Sequence, residues 1–183
     1  LLWMNGEYIR KMKIDELWDK LMKPFINKNI MDVLKGISVE FEKDEEFEKI
    51  LDKVKMAISL EQEKIKLLKD IPNLIKYMLK EDLEDEDYEE EAKEKVLKVK
   101  GVREILSDCR DTLAKLEDFS EEKIEKVIRN YTTESGKKTS EVFHPLRVAV
   151  SGRTRGPGLF ALLSFLGRER VLKRIDCTIR NFL

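Results

Sequence analysis

Apolar residues recur every three or four positions along most of this 183-residue chain, and this period constrains the fold more than any other feature. The pattern is clearest over residues 47–58, 102–116 and 171–179. Such spacing is typical of amphipathic helices that bury one face. Only 8 residues are glycine and 4 are proline, so few positions interrupt these helices. The sequence therefore predicts an all-α protein.

Two further helices are predicted in the first half of the chain. Apolar residues at 14, 17, 18, 21, 22 and 25 predict one that Pro24 kinks or ends. Those at 65, 68 and 71 predict another that runs towards Pro72, which can start a short helix of its own.

The apolar segment 143–150 is short enough to fit either a strand or a helix. We assign a helix because the rest of the chain is helical, Pro145 fits a first helical turn and Gly152 fits a helix end. Pro157 is expected to open the next helix and Gly167 to close it.

An acidic stretch divides the chain. Residues 81–94 contain ten carboxylates and one lysine, and they lack an apolar stripe. Regular helical patterning resumes beyond them. The sequence therefore predicts two consecutive helical-bundle subdomains, 1–85 and 86–183, with the acidic stretch as a solvated helix face or loop between them.

Charge is balanced overall but unevenly distributed. The chain has 36 Lys plus Arg against 37 Asp plus Glu, so its net charge names no partner. From residue 137 to the end there are ten basic and three acidic residues. Nucleic acid would be attracted by this last part and repelled by the acidic stretch.

Catalytic and metal-binding patterns are not visible. His144 is the only histidine, and Cys109 and Cys177 are far apart, so neither a common zinc site nor a nucleophile–histidine pair is predicted. Two carboxylates in a cleft remain an open alternative for acid–base chemistry. No apolar run approaches the roughly 20 residues that span a bilayer. We expect a reduced, cytoplasmic monomer that binds no cofactor, metal or membrane.

The segment 151–160 combines glycines with Arg153 and Arg155. It lacks the Lys-Ser/Thr ending of a P-loop and the dinucleotide-binding spacing. It is a basic turn that leads into a predicted helix N-terminus, where backbone N–H groups suit phosphates or base edges. An ordinary exposed turn is the equally simple interpretation.

Five motifs, in order, resemble the C-terminal anticodon-binding region of bacterial glutamyl-tRNA synthetases, which are class I aminoacyl-tRNA synthetases. They are LWMNGEYIR at 2–10, QEKIKLL at 62–68, PLRVAVSG at 145–152, PGLF at 157–160 and LGRERVL at 166–172. Each motif alone is weak, but the ordered set spans nearly the whole chain.

The resemblance implies two helical subdomains that grip the anticodon loop of a glutamate tRNA, or also of a glutamine tRNA. It also implies that ATP- and Mg²⁺-dependent glutamylation belongs to an upstream nucleotide-binding fold. The His-Ile-Gly-His and Lys-Met-Ser-Lys-Ser signatures of that fold are absent from this sequence. The chain by itself is therefore not expected to aminoacylate.

The resemblance also assigns roles to individual residues. Arg147 falls where an arginine meets the anticodon bases, and Pro157 and Leu159 fall in the loop that reads the first base. Gly156 replaces the Ser or Thr of many relatives, which removes a side-chain contact. The plain alternative for Leu159 is core packing. The predicted tRNA-binding residues are Lys64, Arg147, Arg153, Arg155, Gly156, Pro157 and Leu159.

Lys64 stands where enzymes selective for glutamate tRNA can carry an arginine that reads the third anticodon base. Lysine cannot make a planar two-pronged contact, so relaxed recognition of that base is our hypothesis. The alternative is an exposed lysine that contacts phosphate.

Two other functions compete with tRNA binding. One is a helical protein-interaction scaffold whose apolar stripes only form a core. The other is a self-contained enzyme, which has the least support because no complete catalytic constellation is visible.

Overall fold

The computed structural model describes residues 2–19 and 44–183, and the regular elements within those ranges are all helical. The predicted all-α fold is confirmed. The chain divides into two compact units, Leu1–Glu81 and Asp82–Leu183. The assignment of two anticodon-binding subdomains, 1–85 and 86–183, stays a prediction.

The first unit contains four described helices: α1 (Leu2–Lys11), α2 (Ile14–Leu17), α3 (Asp44–Glu61) and α4 (Ile71–Leu79). α3 packs against α4. The apolar stripe of each is buried, with Leu51, Val54 and Ile58 on α3 and Ile71, Ile75 and Met78 on α4. The helix predicted over residues 14–25 is described only as far as residue 19, and Pro24 lies outside the described residues.

Residues 62–70 differ from the sequence prediction. They form two 3₁₀ turns, Gln62–Lys64 and Leu68–Asp70, and the backbone at Ile65 and Leu67 is extended. The predicted helix through residues 65–71 is therefore wrong. A three-residue spacing of apolar positions fits the 3₁₀ period as well as an α-helix, so the pattern did not distinguish them. α4 begins at Ile71 with Pro72 in its first turn, as predicted.

The second unit begins with a 3₁₀ turn, Asp85–Asp87, and contains six described helices. These are α5 (Glu90–Ala92, continuing into a π-helical turn Lys93–Leu97), α6 (Val102–Ala114), α7 (Glu121–Glu134), α8 (Thr139–Ser151), α9 (Leu159–Leu166) and α10 (Arg168–Phe182). α8 packs against α6, α7, α9 and α10. Its apolar residues Val142, Leu146, Val148, Ala149 and Val150 are accordingly fully buried.

The limits of α8 and α9 correct two expectations. α8 begins at Thr139, where the Lys138 N–H donates to Glu141 Oε2 at 2.7 Å, so Pro145 lies mid-helix and not in the first turn. α9 begins at Leu159, two residues beyond Pro157. The predicted ends are confirmed: Gly152, with φ +70°, ends α8, and Gly167 ends α9.

Candidate nucleic-acid interface

Part of the acidic stretch, residues 84–92, lies against the C-terminal end of α8; we call it the acidic strap. Tyr88 anchors it. The Tyr88 side chain is buried, its hydroxyl lies 2.9 Å from Thr178 Oγ1, and its ring centroid lies 4.6 Å from that of Phe182. Burial raises the pKa of Tyr88, so the phenol stays neutral in this contact. The strap is thereby attached to the core of the second unit.

Gly152 is the point of closest approach between the strap and α8. A Cβ atom at this position would lie 2.4 Å from the carbonyl oxygen of Asp87, and φ is +70°. The Gly152 carbonyl in turn accepts a 2.8 Å hydrogen bond from the Glu89 N–H. Only glycine satisfies both the left-handed backbone and the close approach.

Residues 153–158, which we call the basic loop, follow directly. The Thr154 N–H and the Thr154 hydroxyl both donate to Glu89 Oε2, each at 2.9 Å. At the start of the loop, the Arg153 N–H donates to Ser151 Oγ at 3.2 Å. Ser151 Oγ donates to the Arg147 carbonyl at 2.7 Å. The loop backbone is therefore tied both to the end of α8 and to the acidic strap.

Six of the seven predicted contact residues come together around this loop. Arg147 lies on α8, one turn before its end, and the other five lie between residues 153 and 159. Their exposure differs: the Arg155 side chain is exposed, three residues are half-buried and two are buried. The half-buried residues are Arg147, Arg153 and Gly156, and the buried ones are Pro157 and Leu159.

The start of α9 adds backbone donors to the same place. Leu162 N–H donates to the Gly158 carbonyl at 2.9 Å, which sets the first helical turn at residues 159–161. N–H groups of a first turn have no acceptor within their own helix and carry the positive end of its dipole. The side chains of Leu159 and Phe160 are only 6% and 8% exposed. This surface therefore offers guanidinium and N–H donors more than apolar side chains.

Phe160 is part of an aromatic cluster that holds α9 in place. Its ring lies 5.1 Å from Phe143 in an edge-to-face arrangement, and the Arg129 guanidinium lies 5.5 Å from the Phe160 ring centroid. These contacts fix the start of α9 against α7 and α8.

Lys64 belongs to the first unit. Its Nζ lies 2.8 Å from Glu61 Oε2, and Glu61 is only 2% exposed. The Tyr77 hydroxyl donates to the other carboxylate oxygen, Oε1, at 3.0 Å. The Lys64 ammonium is therefore held by a buried carboxylate. Sequence reasoning missed Glu61, because it is one of many glutamates on a helix.

The acidic stretch and the basic loop are far apart in the sequence, but the structure joins them. Glu89 and Thr154 are 65 residues apart and hydrogen-bonded. The pKa of Glu91 is lowered chiefly by its hydrogen bond to Lys95, with a further contribution from the Arg155 charge. No spacing rule in the sequence indicates a contact over such a separation.

His144 and Cys109 lie outside the basic loop. His144 is exposed on α8 and lines a cavity of about 250 Å³ together with Lys100, Val102 and Pro145. Cys109 is buried, which raises the pKa of its thiol to about 12. Within residues 2–19 and 44–183, no three His, Cys, Asp or Glu side chains are grouped to hold a metal ion. Nor is any helix of this part long and apolar enough to cross a membrane.

The chain matches a known protein family. A model of the anticodon-binding domain matches residues 19–179. The chain belongs to the anticodon-binding domain family. It is 40% identical to a glutamate–tRNA ligase of Elusimicrobium minutum over 174 residues. This aligned region covers 95% of this chain and 32% of that enzyme. A second such enzyme, from Caldanaerobacter subterraneus, is 37% identical over 180 residues, covering 98% of this chain and 34% of its own length.

A solved structure has the same fold. A glutamate tRNA ligase from Elizabethkingia meningosepticum superposes with a TM-score of 0.75 at 24% identity, covering 100% of this chain and 32% of that one. The predicted resemblance to the anticodon-binding region of glutamyl-tRNA synthetases is confirmed. The chain spans about a third of the length of these relatives. The roles of individual residues and the monomeric state stay predictions.

Proposed function

We propose that this chain is the anticodon-binding part of a glutamate–tRNA ligase and holds the anticodon loop of a glutamate tRNA. The observation that carries the proposal is the 40% identity to a glutamate–tRNA ligase across 95% of the chain, within a family of anticodon-binding domains. Residues outside these 183 would carry out glutamylation with ATP and Mg²⁺. The 183 residues of this chain would bind and position the tRNA.

The basic loop and its surroundings supply the chemistry for this role. Bases of a single-stranded loop are splayed out and read by stacking, backbone groups and guanidinium planes. Exposed Arg155 and half-buried Arg153 offer such planes, and the first turn of α9 offers N–H donors beside them. Because Pro157 and Leu159 are buried, we propose that they act at the first anticodon base mainly by setting the shape of the loop that meets it.

Arg147 completes the proposed base-reading group. Its side chain is half-buried on α8, and its carbonyl is hydrogen-bonded to Ser151 immediately before the loop. A guanidinium that is held close to the protein surface presents its donors in a fixed direction, which suits recognition of a base edge more than attraction of distant phosphates.

Binding of glutamate-tRNA anticodon stem-loops tests the proposal. The wild-type chain is expected to bind the natural loop at least about tenfold more tightly than loops with the first or the second anticodon base changed, since a lost base contact costs roughly 1–3 kcal/mol. Arg147→Ala is expected to reduce that preference. Lys115→Ala, which removes an exposed cation at the end of α6, is the matched control and should leave the preference intact. Base-blind binding, or no binding, would contradict the proposal and favour the scaffold function.

We also propose that recognition of the third anticodon base is relaxed, so that glutamine tRNA is accepted. The contact between Lys64 Nζ and Glu61 supports this, because the ammonium is already engaged and lacks the planar fork of an arginine. Stem-loops with C and with G at the third position should bind with similar affinity. A preference for C of about tenfold, equivalent to about 1.4 kcal/mol, would show that Lys64 discriminates and would remove this part of the proposal.

A further inference from the structure

We propose that Glu89 is a positioning residue for anticodon recognition, because its carboxylate fixes the conformation of the basic loop. This inference rests on the proposed function. Glu89 would not touch the RNA; it would act through Thr154 and Gly152 on the residues that do.

Glu89 makes three hydrogen bonds to the end of α8 and the basic loop, one as donor and two as acceptor. The Glu89 N–H donates to the Gly152 carbonyl at 2.8 Å, and Glu89 Oε2 accepts from both the N–H and the hydroxyl of Thr154 at 2.9 Å. Thr154 lies between the two loop arginines, Arg153 and Arg155. A bond to its backbone therefore fixes the direction in which both arginines leave the chain.

The strap that carries Glu89 is itself fixed. Tyr88 is 5% exposed and contacts Thr178 and Phe182 on α10, while Gly152 leaves no room between Asp87 and α8. Glu89 is thus a carboxylate on a well-anchored segment that reaches a glycine-containing loop. Ordering such a loop before binding reduces the entropy that RNA binding would otherwise cost, and hydrogen bonds to a carboxylate are about twice as strong as neutral ones.

The charge of Glu89 acts in the opposite direction. A carboxylate beside an RNA-binding loop repels phosphates, so its removal alone would raise affinity for any RNA. A positioning role therefore predicts a specific signature in Glu89→Ala: general RNA affinity is kept or raised, while discrimination between anticodons is lost. A purely electrostatic role predicts an equal change for all RNAs.

The test compares Glu89→Ala with Glu86→Ala, which removes the same charge from an exposed position of the same strap. Stem-loops with the natural anticodon and with a changed first base are titrated against each variant. The preference for the natural loop should fall by about tenfold in Glu89→Ala, because losing two charge-assisted hydrogen bonds releases the loop, and it should be unchanged in Glu86→Ala. Glu89→Gln, which keeps an acceptor oxygen, should lose less.

Amide hydrogen exchange of Thr154 supplies a readout that needs no RNA. Exchange should accelerate by about tenfold or more in Glu89→Ala relative to wild type and Glu86→Ala, as expected for loss of the acceptor of that N–H. Thr154→Val, which removes only the hydroxyl, tests the second bond and should have a smaller effect on anticodon preference.

The outcomes separate the two proposals. A wild-type chain that prefers the natural anticodon, together with a Glu89→Ala chain that prefers it equally, would overturn the positioning role and leave the proposed function standing. Unchanged exchange at Thr154 would overturn it as well. A wild-type chain that binds all stem-loops alike would overturn the proposed function and the positioning role with it.

Discussion

In both units of the chain, a carboxylate holds a candidate RNA-contacting segment. In one unit the carboxylate binds the cationic side chain itself, and in the other it binds the chain beside the cation. In the first unit, the buried Glu61 binds the ammonium of Lys64 itself, 2.8 Å away. In the second unit, Glu89 binds the backbone and hydroxyl of Thr154 and leaves the guanidinium of Arg155 exposed. One carboxylate partly neutralises the cation, and the other orients the chain that carries it.

This difference suggests a division of work between the units. Lys64 and Arg155 are both exposed, but a cation that is already ion-paired gains less from a phosphate than an unpaired one, because binding must compete with the existing partner. We therefore expect the basic loop to supply most of the salt-dependent attraction to RNA. Lys64, whose ammonium is already held by Glu61, is expected to contribute less to this attraction.

The largest expected effect on stability comes from a substitution that pushes the acidic strap away from α8. Gly152→Ala should lower the free energy of unfolding of the second unit by about 3 kcal/mol, since a left-handed alanine costs about 1–2 kcal/mol and the new Cβ also meets the Asp87 carbonyl. Gly136→Ala is the matched control, because its φ of +64° is similar and nothing lies within 4 Å of the added Cβ. Urea unfolding measures both. Equal losses in the two variants would show that the strap exerts no steric demand on α8.

The next effect concerns the buried carboxylate of the first unit. Glu61→Ala removes the acceptor of the buried Tyr77 hydroxyl and should lower the free energy of unfolding by about 2 kcal/mol. Glu63→Ala, an exposed glutamate two residues away, should change it by less than about 0.5 kcal/mol. If the two variants were equally stable, the bond from the Tyr77 hydroxyl would not hold Glu61 in place in the way that the comparison requires.

The smallest effect sharpens the comparison in terms of charge. Arg155→Ala should reduce the slope of log affinity against log salt concentration by about 0.7, the value for one contact to a single-stranded phosphate. Lys64→Ala should reduce it by clearly less, because the ammonium is paired with Glu61 before RNA arrives. Titrations at several salt concentrations give both slopes. A larger loss for Lys64→Ala would reverse the assignment of roles.

Much of the fold follows from the sequence because helical periodicity and glycine ends are local signals. The long apolar stripes and the ends at Gly152 and Gly167 were predicted for that reason. Residues 65–71 were predicted wrongly, since three-residue spacing fits 3₁₀ turns too. The prediction that Pro145 lies in the first turn of its helix was wrong. The helix begins six residues earlier, at Thr139, where Glu141 caps the Lys138 N–H.

The candidate interface was predictable only in part. The glycines and arginines of the basic loop are adjacent in sequence, so composition alone indicated a basic turn before a helix. The groups that hold it are not adjacent: Glu89 reaches Thr154 across 65 residues, and Tyr77 reaches Glu61 across 16. Such contacts depend on how the helices pack, which a single sequence does not specify locally.

The central claim is that the surface around α8 and the basic loop reads the anticodon, and chemical-shift mapping of backbone amides tests it most directly. Adding a glutamate-tRNA anticodon stem-loop should shift the amides of residues 147 and 153–161 most strongly, except Pro157, which has no N–H. A loop with the anticodon bases replaced should shift them less. If the natural loop bound while these amides stayed in place, or if both loops shifted them equally, the account would be contradicted.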